Sequence, residues 1–151
     1  MGEGRVPHMA HVLIIGGSDA GIAAALRARR VDPGAEVTVL VADAFPNYSI
    51  CGLPFFLSGE VPDWHALAHR TVAEIEAAGV HLLLRHTAQS VDTVAKQVHL
   101  LDPDERLEVL SYDRLVIATG ATPAAPHFAG LGLSGVYGLH TMADSFALEP
   151  I

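Results

Sequence analysis

Periodic hydrophobic structure begins abruptly at residue 11. His11-Val12-Leu13-Ile14-Ile15 is a β-branched-rich apolar run of the kind buried on both faces of a parallel sheet. Gly16-Gly17-Ser18-Asp19-Ala20-Gly21 interrupts it. Residues 22–30 then collect alanine, leucine and arginine, which are strong helix formers, with the arginines gathered at the end. Asp32-Pro33-Gly34 stops that helix. Residues 36–41 form a second buried strand. Strand, glycine turn, helix and strand within about thirty residues predict a βαβ unit with a right-handed crossover.

Further along the pattern becomes less regular. Residues 43–49 read as a loop, and residues 51–57 as a short helix ending at Ser58-Gly59. Residues 71–79 predict an amphipathic helix closed by Gly79, and residues 80–85 a third strand parallel to the first two. Residues 88–94, 97–101 and 107–110 alternate as short strands separated by polar turns, the signature of an antiparallel meander. Residues 115–118 form another apolar strand ended by Thr119-Gly120, and everything beyond is expected to be loop-rich, with Pro123 and Pro126. Residues 1–10 carry no periodicity and are expected to form a flexible leader. The fold class is therefore α/β, a parallel sheet with an antiparallel β-meander crossover.

Composition narrows the function classes. Half of the 151 residues are hydrophobic, which excludes a disordered chain. Seventeen acidic against nine basic residues give a net charge of −8, so no nucleic-acid or anionic-membrane partner is expected. No 18-residue apolar span is present, and the chain is expected to be cytoplasmic. Cys51 is the single cysteine, so no intrachain disulfide can form. His65 and His69 have helical i, i+4 spacing, but no neighbouring ligand completes a metal site, so no metal is expected. Trp64 beside Pro62 reads as a packing anchor.

The candidate chemistry starts at the glycine turn. A turn between a buried strand and a helix directs open backbone N–H groups and the positive end of the helix dipole at an anion, here a diphosphate. Gly16 and Gly21 fill the first and third positions of the dinucleotide fingerprint, and Ser18 stands at the second. A valine at Gly16 is expected to abolish nucleotide retention without unfolding the chain. Asp19 would repel a diphosphate if it pointed inward, so it is expected to face out or to act as the N-cap. The acid that would bind a ribose is displaced to Asp43, which reads equally as a loop carboxylate. Cys51 has two readings. At a helix start its thiolate is favoured and it is a nucleophile; without that context it is a small apolar filler.

Three pieces together, namely the Gly16–Gly21 turn, Cys51-Gly52-Leu53-Pro54, and Tyr112 to Pro123 with its Ala118-Thr119-Gly120 end, resemble the FAD-dependent pyridine nucleotide–disulfide oxidoreductases. The resemblance spans residues 11–148. It is closest to the single-cysteine branch of coenzyme A-disulfide reductases, NADH oxidases, NADH peroxidases and persulfide reductases. It implies a Rossmann-like FAD/NAD(P)-binding fold, with Cys51 as the redox-active catalytic residue beside the flavin. It also implies cofactor contacts at Gly16, Gly17, Ser18, Ala20, Gly21, Asp43, Ala88, Thr119 and Gly120. In the dithiol branch a second cysteine lies five residues from the first; here those positions are Pro46 and Phe56. Val41 stands where the branch places its ribose-binding acid, Ile50 where an asparagine often precedes the cysteine, and Asn47 where a serine is common. Arg27 and Arg30 fit the phosphates of coenzyme A, or equally a solvated helix end.

By the same resemblance, residues 11–151 are expected to be the N-terminal segment of an FAD-binding domain. NAD(P)H would act through a domain outside this chain, and the parent protein would be a homodimer. Its substrate would be a small-molecule thiol/disulfide, a persulfide or oxygen. Residues 1–151 alone are expected to show no NAD(P)H turnover. The alternative is a non-catalytic nucleotide-binding fragment.

Overall fold

The computed structural model describes residues 9–124 and 129–148. In chain order the first elements are β1 (His11–Ile15), α1 (Asp19–Val31), β2 (Glu36–Val41), a 3-10 turn at Ile50–Gly52, and α2 (Leu53–Leu57). A second 3-10 turn at Trp64–Leu67 leads to α3 (Val72–Ala77) and β3 (His81–Leu84). The meander β4 (Thr87–Asp92), β5 (Gln97–Leu101) and β6 (Leu107–Ser111) precedes β7 (Arg114–Ile117) and α4 (Met142–Leu148). Residues 1–8 of the expected leader and Pro126 lie outside the described residues.

The parallel sheet has the order β3-β2-β1-β7, so β3 runs parallel to β1 and β2, as expected, and bonds to β2. β1 sits centrally, paired in parallel with β2 (Ile14 opposite Val39) and with β7 (Ile14 opposite Val116). The unbroken apolar runs follow from burial on both faces. Ile14, Val37 and Val39 face Ile22 and Ala25 of α1 and Ile75 of α3. Leu13, Ile15 and Leu40 face Val98 and Leu100 of the meander. Three layers result: helices, parallel sheet, meander. His11 ties the second and third, with Nε2 3.0 Å from Thr38 Oγ1 and Nδ1 2.7 Å from the Ser111 carbonyl.

Several local expectations need correction. α1 begins at Asp19, with Ser18 in the N-cap position and making no side-chain cap bond, so Asp19 is not the cap. His65 belongs to the Trp64–Leu67 turn and His69 lies beyond it, so the two share no helix face. Each pairs with a different carboxylate, His65 with Asp63 (2.7 Å) and His69 with Asp19 (2.9 Å). No group of His, Cys, Asp or Glu among the described residues could hold a metal ion. Also among them, no helix is long and apolar enough to cross a membrane. Trp64 is a packing anchor, its ring 5.8 Å from Phe45 and 5.4 Å from Phe146.

The region beyond Gly120 is not all loop. α4 forms there because Thr141 and Asp144 cap it reciprocally: Asp144 Oδ2 accepts the Thr141 and His140 amides at 2.7 and 2.9 Å, and the Asp144 amide donates to Thr141 Oγ1 at 3.2 Å. Met142 is buried, and Phe146 packs on Phe45 and Phe56. α3 is opened by the same device, with Thr71 and Glu74.

Candidate functional site

The carboxyl ends of β1, β2 and β7 open onto one cavity, at the point where chain order reverses about β1. Open α/β sheets bind ligands at such a place. Its floor is the glycine turn, Gly16, Gly17 and Ser18. One wall is Val41, Ala42 and Asp43, and another is Ala118 and Thr119. Phe45, Asn47, Tyr48 and Ile50 come from the loop after β2, and His140, Thr141 and Met142 from the start of α4.

The glycines are there because strand, turn and helix approach too closely for side chains. Gly16 has φ +114°, and a Cβ on it would run into the Ala118 carbonyl of the chain leaving β7. A Cβ on Gly21 would meet the Gly16 carbonyl oxygen, and one on Gly17 the Val41 side chain at 2.6 Å. The Gly16 obstacle is therefore backbone, not ligand, which overturns the expectation that a valine there would spare the fold. Ser18 supplies no side-chain cap, so the first amides of α1 remain available to an external acceptor. This cradle fits a diphosphate held by amides and the helix dipole. Asp19 does not oppose that. Its exposed carboxylate turns aside, accepting from Asn47 Nδ2 at 2.7 Å with His69 Nδ1 at 2.9 Å.

Asp43 stands at the cavity just past β2, and its Oδ1 accepts the Phe45 amide at 2.8 Å. Val41, in the position of the displaced acid, is buried against Gly17. Thr119 lines the cavity and Gly120 follows it, exposed, with φ +71°. Cys51 is exposed and unpaired, in the 3-10 turn just after the cavity-lining Ile50.

Other expected residues fall elsewhere. Gly21 packs behind the turn, and Ala20 is exposed on the first turn of α1. Ala88, in β4, packs with Leu13 and Leu100 in the core between sheet and meander. Arg27 is exposed on α1. Arg30 lines a separate hollow with Arg29 and Arg70. Asn47, Tyr48 and the α4 residues were not expected at the site. The Thr141-x-x-Asp144 spacing was the sequence signal for the last of these.

Two titrating groups are displaced, Tyr48 in the cavity wall and Asp144 in the first turn of α4. Burial, with the Asp63 carboxylate adding to it, raises the Tyr48 phenol above its ordinary 10.0. Burial pushes Asp144 upward, but the amides of Thr141 and His140 and the Thr141 hydroxyl outweigh it and leave the carboxyl below 3.8. A depressed folded value means that this stabilisation is complete above the unfolded value and is lost as pH falls through the folded one. The thermal-midpoint advantage of wild type over Asp144→Asn is therefore expected to shrink as pH is lowered from about 6 to about 3. A constant difference would show that the cap bonds do not depend on the charge.

Comparison with known proteins agrees with this geometry. Residues 10–150 match the family described as pyridine nucleotide-disulphide oxidoreductase. The chain is 32% identical over 138 residues to an NAD(P)H sulfur oxidoreductase (CoA-dependent) of Pyrococcus abyssi, covering 91% of this chain and 30% of that protein. It is 28% identical over 137 residues to an NADH oxidase of Methanocaldococcus jannaschii, covering 90% of this chain and 31% of that protein. Among solved structures, an NAD-dependent persulfide reductase from A. fulgidus superposes with a TM-score of 0.84 at 34% identity, covering 90% of this chain and 26% of that one. The chain thus spans about a third of the length of the curated relatives it matches.

Proposed function

Because the chain belongs to the pyridine nucleotide-disulphide oxidoreductase family, we propose that it is the FAD-binding segment of an NAD(P)H-dependent flavoprotein that reduces a disulfide, persulfide or oxygen through Cys51. Members of the family bind FAD and use NAD(P)H. The observation that carries the proposal is the meeting, around one cavity, of the glycine turn, the end of β7 and the loop leading into Cys51.

In this reading the amides at Gly16 to Gly21 hold the diphosphate, Asp43 accepts from the ribose hydroxyls, and Thr119 and Gly120 close the nucleotide side. Bound FAD would carry two electrons from NAD(P)H to the sulfur at Cys51. The Cys51 thiolate attacks one sulfur of a disulfide R–S–S–R. A Cys51–S–R bond forms, the S–S bond breaks, and R–S⁻ leaves with the electron pair. Two electrons and a proton then release R–SH and restore the thiolate. Arg30, with Arg29 and Arg70 beside it, offers a cationic surface for an anionic acceptor such as the phosphates of coenzyme A; Arg27 adds charge on the same helix. The relatives are about three times as long, so we assign the nicotinamide site and the homodimer contacts of a cytoplasmic parent enzyme to regions outside residues 1–151. Ala20 and Ala88 are proposed as flanking cofactor contacts.

The test is a titration of the protein with FAD, followed by flavin fluorescence and by the visible spectrum after gel filtration. Retained flavin bands are expected, with Asp43→Ala weakening binding about tenfold through the loss of a charged hydrogen-bond acceptor. Flavin that neither quenches nor co-elutes would overturn the proposal. Flavin bound with no Cys51-dependent chemistry in the longer protein would leave a nucleotide-binding module.

A further inference from the structure

Asn47 is 1% exposed and carries a polar side chain into the wall of the cavity. Its φ of 60° lies in the left-handed region, which asparagine tolerates better than most residues. Every polar group it has is engaged. Its amide donates to the Gly17 carbonyl at 2.7 Å, and its carbonyl accepts the His69 amide at 2.9 Å. Nδ2 donates to Asp19 Oδ1 at 2.7 Å, and Oδ1 accepts from Arg70 at 3.4 Å. One residue therefore joins the glycine turn, the first residue of α1 and the bend at His69 to the loop that leads into Cys51.

The two residues between Asn47 and the cysteine turn, Tyr48 and Ser49, leave little slack. Tyr48 bridges to Ala68, the Ser49 amide donates to the Leu67 carbonyl at 2.8 Å, and the Gly52 amide returns to the Ser49 carbonyl at 3.1 Å. Packing alone would be served by an apolar side chain at 47. A buried side-chain amide with two directed partners, Asp19 and Arg70, instead specifies one placement, because any shift leaves a buried polar group unpaired.

We infer that Asn47 is a positioning residue that couples Cys51 to the nucleotide turn, through its bonds to Gly17 and Asp19. The inference rests on the proposed reading of Cys51 as the redox centre beside bound FAD. When the turn is filled, the loop carrying Cys51 is held in register with it. When the Asn47–Asp19 bond is broken, the cysteine and the nucleotide report on each other less.

The test measures the rate at which iodoacetamide alkylates Cys51, without FAD and with FAD at a concentration that saturates each variant. The ratio of the two rates is the protection factor, in which differences of affinity cancel. Wild type is expected to show strong protection. Asn47→Asp keeps the size and the left-handed tolerance but sets a carboxylate against Asp19. It should lower protection about tenfold, the scale of one hydrogen bond to a charged group. The double variant Asn47→Asp with Asp19→Asn restores a donor opposite an acceptor and should recover protection, which a general packing defect would not allow. If Asn47→Asp does not fold, Asp19→Ala removes the same acceptor at an exposed side chain and should show the same loss. Protection unchanged in these single variants, or lost and not recovered in the double variant, overturns the inference. No protection in wild type overturns the reading of Cys51 beside FAD, and the inference with it.

Discussion

Replacing Cys51 by serine in the longer flavoprotein is expected to lower kcat for disulfide or persulfide reduction by about a thousandfold or more, the usual scale for removing a nucleophile. The substitution changes one exposed atom in a 3-10 turn, so stability should move by no more than about 0.5 kcal/mol and flavin content should be unchanged. At neutral pH a serine hydroxyl offers almost no anion to attack a sulfur, whereas an ordinary thiol offers a few per cent of a far better nucleophile. Stopped-flow reduction of the protein by NAD(P)H, followed by acceptor addition, separates the two half-reactions. The first should survive in Cys51→Ser and the second should not. Acceptor reduction at the wild-type rate would remove Cys51 from the mechanism.

Gly16→Val should unfold or severely loosen the protein rather than merely empty its nucleotide site. The residue sits at φ +114°, and the new Cβ would occupy the place of the Ala118 carbonyl, which is backbone and cannot rotate aside. Left-handed strain and overpacking together amount to about 3 kcal/mol or more. For a chain of this length that corresponds to roughly 10 °C in the thermal midpoint. Gly59→Ala is the control. It is also left-handed, at φ +81°, but nothing lies within 4 Å of the added Cβ, so its cost is the conformational part alone, about 1 kcal/mol. Equal midpoints for the two variants would show that the approach of β7 to the turn is softer than the structure has it.

How much of this was legible in the sequence depends on how local the cause was. β1, β2 and β5 begin and end where the apolar patterns do, because burial on one or both faces writes a strand directly into consecutive residues. The glycine turn was legible for the same reason: its chemistry is carried by backbone within six residues. α4 escaped because its apolar contacts, Met142 and Phe146, are few, and its cap uses aspartate at the position where the usual box has glutamate. Asn47 escaped more deeply. Read alone it is a loop asparagine after a proline. Its partners Gly17, Asp19, His69 and Arg70 lie on both sides of it in sequence, and only the folded chain assembles them. Ala88 was legible only through the resemblance: in the fold it is partly buried and packs against the core between sheet and meander, a placement that its short-strand pattern alone does not distinguish.

The central position of β1 also sets an order of assembly in time. Its first neighbour, β2, follows within one helix, so the βα unit can form as soon as those residues leave the ribosome. Its second neighbour, β7, is synthesised about a hundred residues later, after the whole meander, and such distant pairing is slow. Until β7 arrives, the far edge of β1 is unpaired, and the bond from the Ala118 amide to the Ile15 carbonyl (2.8 Å), which fixes the strand end beside Gly16, does not exist. The nascent chain therefore passes through a stage in which its most hydrophobic strand is half covered and its nucleotide cradle has no second wall. That stage is the one most open to wrong pairing between copies, and free nucleotide cannot rescue it, because the site it would bind is the last part to be built.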